Sequence, residues 1–410
     1  MELSKRAQVL KPSPTLAMAN KARELSAKGH DVVSLTVGEP DWPTFDCANQ
    51  AAIKAIEEGF TKYTAAAGIP ELRAEIAKQI TADLKIPYTA NQTIVASGAK
   101  FVIYALLQML VNEGDEVLVP SPYWVSYPTM AELAGAQVKI IECGIEKNFK
   151  LTPQDLEKSI TPKTKVIIFS SPSNPTGLLY SKQEWKALAD VLKKYPQVTV
   201  LSDDIYDKLV YQSKKELLVQ GQEGVWRSPH ILDVAPEMRE QVVIINGASK
   251  TFSMTGWRVG WALGPEKLMK VTADFLSQST SNVTSISQKA ALAALQKGHQ
   301  ELKTAVLKLE TKKNRLQTKF ESLQHFKVIP PEGAFYFWVK VDSLFGKKFA
   351  GVTIKNSKDL AEVLLEKLFV ATVPGVEFGA EGYLRLSIAA SDVQLDKAVE
   401  RFQKLEAELV

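Results

Sequence analysis

From about residue 90 onward, short apolar, β-rich runs alternate with longer stretches whose apolar positions recur at helical spacing. The runs 93–96, 116–119, 138–141, 165–169, 198–201, 242–245 and 259–262 are predicted strands, 242–245 a buried one. Stretch 182–194 reads as an amphipathic helix opened by Ser181, with Glu184 three residues on as its capping partner. Strands alternating with helices predict an α/β fold built on a doubly wound, mostly parallel sheet. In such sheets ligands bind at the carboxyl ends of the strands. After about residue 280 the pattern changes. Helical stretches 285–296 and 301–323 lead into strands 335–341 and 384–388 and a final helix 393–409, the signature of a smaller α+β unit. The expected division is a large unit over 46–280 and a small one formed by 1–45 and 281–410, with no Pro- or Gly-rich linker between them.

A chain of 410 residues exceeds one ordinary core, which agrees with two units. Its 45% hydrophobic and 23% charged residues are those of a globular protein. The net charge is +4, and the lysines are scattered without a basic block, so nucleic acid is not an expected partner. Cys47 and Cys143 form neither a CxxC pair nor a metal-ligand spacing. Reduced thiols in a cytoplasmic protein without a metal site are expected. The N-terminal residues lack an apolar signal region, and the longest apolar stretches, such as 105–111, fall far short of a bilayer span; no export signal or membrane segment is expected.

The chemistry concentrates at strand ends. After the buried run 242–245 the chain reads Asn246-Gly-Ala-Ser249-Lys250 and offers Arg258 eight residues later. A lysine at the mouth of a buried strand is costly unless it has a task. Forming a Schiff base with an aldehyde, beside a cation and hydroxyls that hold a phosphate, is such a task. Ser97-Gly98-Ala99-Lys100 opens a helix where small residues let backbone N–H groups face an anion. Trp124, in Ser121-Pro-Tyr-Trp124-Val-Ser-Tyr127-Pro, can lie flat on a heteroaromatic ring. Asn174 stands between Pro172 and Pro175 in a loop those prolines fix, its amide a directed donor. Asp203 follows the apolar run 198–201, so its carboxylate lies at a buried edge and needs a cationic partner, for which a pyridinium nitrogen suffices. Singly these are a loop lysine, a small-residue turn, a core aromatic, a rigid turn and a helix cap. Together they are what pyridoxal phosphate catalysis requires.

The strings Val37-Gly38-Glu-Pro-Asp41, Lys62-Tyr63, Asn174-Pro-Thr-Gly177, Ser202-Asp203 to Tyr206, Ser249-Lys250, Gly256-Trp-Arg258 and Leu384-Arg385-Leu-Ser387 complete a resemblance along essentially the whole chain. The chain resembles the class I aminotransferases of the pyridoxal-phosphate fold type I superfamily. It is most similar to the bacterial aspartate aminotransferase subgroup Ib, which carries the Lys11-Pro12-Ser13 string and the Pro-Tyr-Trp-Val-Ser-Tyr-Pro string. The resemblance implies pyridoxal 5'-phosphate as cofactor, with Lys250 as Schiff-base lysine and proton carrier. It implies Asp203 at the ring nitrogen, Tyr206 and Asn174 at the phenolate oxygen, and Trp124 on the ring. Gly98, Ala99, Ser249 and Arg258 would hold the phosphate, joined by Tyr63 of a second subunit. A symmetric homodimer with shared active sites is therefore expected. Arg385 would fork onto the substrate carboxylate and Gly38 would approach the substrate through its main chain.

Two departures qualify the resemblance. Stretch 278–282 has no arginine where the best-known aspartate aminotransferases supply one from the partner subunit. In subgroup Ib that task falls to a lysine at the position of Lys100, helped by Lys11 and Ser13, a less selective set than a bidentate arginine. Gly247 stands where many relatives carry a phosphate-binding serine. The resemblance implies transfer of an amino group from L-aspartate to 2-oxoglutarate, with prephenate as a further substrate. Alanine or aromatic amino acids, a carbon–sulfur lyase on the same cofactor, and a cofactor-binding regulatory module are the alternatives. The last is disfavoured because no helix-turn-helix precedes the pattern. A nicotinamide dehydrogenase is disfavoured because no GxGxxG follows the first strands.

Overall fold

Seven strands form the main sheet: β1 (Thr93–Ala96), β2 (Glu116–Ser121), β3 (Gln137–Glu142), β4 (Thr164–Ser170), β5 (Thr199–Asp203), β6 (Val242–Gly247) and β7 (Gly260–Leu263). The computed structural model describes residues 1–10 and 12–410. The spatial order is β1-β7-β6-β5-β4-β2-β3. β2 to β6 pair in parallel, and β7 runs antiparallel between β1 and β6. The expected mostly parallel sheet is thus present, with one reversed strand inside it.

The alternation of side chains along each strand divides the core. Val166 and Ile168 of β4 join Leu201, Val243 and Ile245 on one face, while Ile167 and Phe169 join Val200 and Ile244 on the other. Both faces are buried, which is why these strands read as continuous apolar runs rather than alternating ones. The helices of the molecule include α1 (Pro14–Ala27), α2 (Asp46–Glu57), α3 (Pro70–Leu84), α4 (Ala99–Leu110), α5 (Ser126–Leu133), α6 (Lys182–Leu192), α7 (Ala248–Thr251), α8 (Glu266–Ser279), α9 (Ser285–Lys297) and α10 (His299–Glu321). In α6 the expected capping box is formed: Glu184 N donates to Ser181 Oγ at 3.2 Å and Ser181 N donates to Glu184 Oε2 at 2.7 Å. Trp185, Leu188, Ala189 and Leu192 then fall on one buried stripe.

A second, four-stranded antiparallel sheet lies in the C-terminal third: β8 (Lys327–Ile329), β9 (Tyr336–Lys340), β10 (Val373–Pro374) and β11 (Tyr383–Ser387), ordered β8-β9-β11-β10. The N-terminal residues join this part of the molecule. Val33–Ser34 pairs in parallel with Val370–Ala371, and Ser387 N donates to Leu35 O at 2.8 Å. Helix α9 packs on α2 and α3, close to the main sheet. Several expected strands differ from the observed ones by one or two residues at an end, while 93–96 is observed as expected. Stretch 198–201 is observed as Thr199–Asp203, because backbone pairing with β4 and β6 carries the polar Ser202 and Asp203 into the strand. Strand 259–262 lies one residue further on, at Gly260–Leu263.

Candidate active site

Strands β1 to β6 point the same way, and their carboxyl ends open into a cavity of about 770 Å³. Each expected strand-end group reaches it by a different loop. Lys250 stands on α7, immediately after β6. Its Nζ donates to Gly38 O, which joins the loop after residue 36 to the floor of the cavity. Burial draws the Lys250 pKa down to about 8, opposed by Glu39 and reinforced by Arg258 and Arg385.

Asp203 closes β5 and is 4% exposed. Tyr127 Oη donates to its Oδ2 at 2.5 Å, and Ile205 N reaches Oδ1 at 3.4 Å. Burial raises the Asp203 pKa to about 6 against those hydrogen bonds and the charge of Lys250. The carboxylate has spare acceptor capacity and no ion pair among the described residues, so a cationic ring nitrogen suits it.

Asn174 follows β4. Its Oδ1 accepts from Arg385 Nη1 at 3.0 Å. That bond fixes the amide orientation and leaves Nδ2 as a donor toward the cavity. Arg385, on β11 and 2% exposed, also donates from Nη2 to Thr36 O at 2.6 Å, while its Nε is buried without a partner. Its guanidinium lies 4.5 Å from the Tyr336 ring centroid and 5.0 Å from that of Phe378. Burial lowers its pKa, yet an arginine stays charged. A buried guanidinium that has spent only two of its five N–H donors is a seat for a carboxylate.

The phosphate end is built by close approach. Gly98 has φ of 88°, and a Cβ there would collide with the Arg258 guanidinium. A Cβ on Gly260 of β7 would strike the Ala99 amide. Those two glycines let the first turn of α4 and Arg258 converge, so N–H groups and a cation face one anion. Ser249, 6% exposed, lines the same wall. Trp124 forms a side of the cavity, set edge-on to Tyr127 at 5.4 Å. The donor set, the uncompensated Asp203, the glycine cradle and the buried amine together fit pyridoxal 5'-phosphate.

At the mouth stand Ser13, at the start of α1, and Lys100, whose Nζ is 4.9 Å from the Trp124 ring centroid. Although Lys100 is exposed overall, desolvation of its ammonium and then the charge of Arg258 lower its pKa. Lys11 lies outside the described residues. Tyr63 is not brought to the cavity within one chain and is 91% exposed. Among the described residues no group of three or more His, Cys, Asp or Glu is placed to hold a metal, and no helix is long and apolar enough to cross a membrane.

Two tyrosines without an expected role belong to the site. Tyr127 holds Asp203, and Tyr336 meets Tyr206, oxygen to oxygen, at 2.8 Å. The sequence marks both only faintly. Tyr127 stands three residues after Trp124 at a helix entry, and the period-2 pattern of β9 places Tyr336 diagonal to Arg385 across the β9–β11 pair.

Comparison with known proteins agrees with this geometry. The family model described as aminotransferase class I and II matches residues 30–402. The chain is 43% identical to a protein named probable aspartate/prephenate aminotransferase from Rickettsia bellii (strain RML369-C), over 98% of either chain. It is equally 43% identical to the aspartate aminotransferase of Geobacillus stearothermophilus, over 98% of either chain. The crystal structure of the Rhizobium meliloti aspartate aminotransferase superimposes with a TM-score of 0.93 at 33% identity, covering 100% of both chains. The Thermus thermophilus aspartate aminotransferase with maleate gives 0.89 at 37% identity, covering 99% of this chain and 100% of that one.

Proposed function

Because the chain belongs to the class I and II aminotransferases, we propose that it moves the amino group of L-aspartate to 2-oxoglutarate, giving oxaloacetate and glutamate. The family uses pyridoxal 5'-phosphate, which when bound supplies an electron sink for the charge left at the substrate α-carbon. The residues of this chain do the rest. Lys250 Nζ carries the α-proton away and returns it, a task for an amine whose pKa of about 8 lies near working pH. Asp203, held by Tyr127, would keep a proton on the cofactor's ring nitrogen. Asn174 Nδ2 and Tyr206 Oη would donate to the cofactor's phenolate oxygen, and Trp124 would support its ring. Gly98, Ala99, Ser249 and Arg258 hold the phosphate.

Arg385 receives the α-carboxylate through its free N–H edge, and Gly38 brings its main chain against the substrate. Lys100, Ser13 and Lys11 receive the second carboxylate. The juxtaposition of buried Arg385 with the cation at Lys100 across one cavity carries this reading, since it suits a substrate charged at both ends. The names of the relatives support aspartate, and several also support prephenate, whose second carboxylate the same mouth would meet.

The active form in this reading is a homodimer. The exposure of Tyr63 supports it, as a residue placed to reach a second copy's phosphate site. A large unit over 46–280 and a small one over 1–45 and 281–410 would close on the substrate. Their separate sheets support the division, while the packing of α9 on α2 and α3 ties the start of the small unit to the large one. The free thiols Cys47 and Cys143 suit a cytoplasmic protein.

A half-reaction tests the assignment. The cofactor-loaded protein is mixed with aspartate, glutamate, alanine or phenylalanine, or with prephenate in the reverse direction, and cofactor absorbance is followed. Rapid change with aspartate and glutamate is expected. Change confined to alanine or phenylalanine would replace the dicarboxylate assignment, and no cofactor absorbance would end the reading.

A further inference from the structure

Tyr336 touches three parts of the site at once. Its hydroxyl is 2.8 Å from the Tyr206 hydroxyl, and its ring carries the Arg385 guanidinium. A Cβ added to Gly38 would come within 2.5 Å of the Tyr336 oxygen. Tyr206 and Tyr336 are 3% and 1% exposed, and both line the cavity. Each phenol has one proton. When nothing else accepts from Tyr206, either hydroxyl can be the donor of this bond. Once Tyr206 gives its proton to an acceptor in the cavity, its oxygen can only accept, and Tyr336 is its buried neighbour at bonding distance.

We propose that Tyr336 is a positioning residue for this reaction: its hydroxyl donates to the Tyr206 oxygen and so commits the Tyr206 proton to the cavity. The inference rests on the proposed role of Tyr206 and deepens it. A donor bonded to a donor strengthens the second bond, because the chained hydroxyls polarise one another. The Tyr336 ring has a separate task, stacking on Arg385, that does not need the hydroxyl. Tyr336→Phe therefore removes the proton chain and leaves the stack.

The test is a pH titration of cofactor absorbance in the loaded protein, which reads the pKa of the group that Lys250 forms with the cofactor. Four proteins are compared: wild type, Tyr206→Phe, Tyr336→Phe and the double variant. Tyr206→Phe is expected to raise that pKa, and Tyr336→Phe to raise it by a smaller step of about a few tenths of a pH unit. The double variant is expected to match Tyr206→Phe alone, because Tyr336 acts through Tyr206. The affinity for a non-reacting C4 dicarboxylate, measured in parallel, should change less than twofold in Tyr336→Phe; general disturbance of the site would move it as well. An unshifted Tyr336→Phe titration beside a shifted Tyr206→Phe one overturns the inference alone. So does a double variant in which the two shifts add. If Tyr206→Phe itself leaves the titration unmoved, the proposed role of Tyr206 falls, and the role of Tyr336 with it.

Discussion

At the scale of single residues, the site is assembled from groups that are unfavourable where they stand. Asp203 shows this most directly. Its folded pKa, about 6, lies above the ordinary carboxylate value of 3.8, chiefly through burial. The folded state therefore prefers the protonated form. The contribution of this group to stability is fully present below about pH 4 and is lost as pH rises through 6. In the cofactor-free protein at pH 7, Asp203→Asn should stabilise the fold, on the order of 1–3 kcal/mol, while weakening cofactor retention. Thermal melts of the two apoproteins at pH 7 and pH 4 would check this; a gain that vanishes at the lower pH is expected, and a loss at pH 7 would contradict it. Arg385 and Lys100 divide in a different way. Arg385→Lys cannot reproduce the two-armed grip on Asn174 and Thr36, so kcat/KM should fall for every substrate, by a hundredfold or more on the order-of-magnitude cost of a lost buried charge-assisted bond. Lys100→Ala should lower kcat/KM for aspartate by roughly tenfold and for alanine hardly at all. Equal losses on both substrates would remove Lys100 from the distal site.

Among the elements, what could be read from the sequence was what local pattern enforces. The box at Ser181 and Glu184 marked the start of α6, and the doubly covered strands β4, β5 and β6 showed themselves as unbroken apolar runs. Removing that box with Ser181→Ala should cost about 1 kcal/mol of stability and leave turnover intact, as denaturant melts and steady-state rates would show. The reversed strand β7 carries no such mark. Its direction shows in its pairing with β1, where Gly260 stands opposite Ala96, a contact between residues far apart in the chain. For the same reason Tyr127 and Tyr336 are faint in the sequence, whereas Asp203, Asn174 and Lys250 stand out. A strand end announces itself locally, whereas a hydrogen bond between residues 76 or 130 positions apart does not. Gly98 is the element-scale weak point of the phosphate cradle. Gly98→Ala must place a side chain at φ of 88° and against Arg258. Cofactor affinity should drop at least tenfold with an unchanged circular dichroism spectrum.

For the whole molecule, the position of Tyr63 has consequences that a monomer would not have. If it serves the site of a second copy, one chain bearing Lys250→Ala and another bearing Tyr63→Ala can complement each other. In a mixed dimer one site lacks both groups and the other has both. Refolding equal amounts together should recover roughly a quarter of wild-type activity, since half of the dimers are mixed and each holds one intact site. Activity no greater than the sum of the separate variants would place Tyr63 outside the partner's site.

The pairing of Val33–Ser34 with Val370–Ala371 reaches across most of the chain. A ribosome that has released the first strand must add well over three hundred further residues before the second emerges, on the order of tens of seconds at ordinary rates of synthesis. Once residue 263 has emerged the main sheet can assemble, while the residues that will carry Gly38 and Thr36 to the cavity still have no mate. The last part of the nascent chain to arrive therefore locks the first, and capacity to bind substrate should come as the final event of biosynthesis. A chain stopped short of residue 370 should keep a protease-resistant body and yield its N-terminal residues to limited digestion.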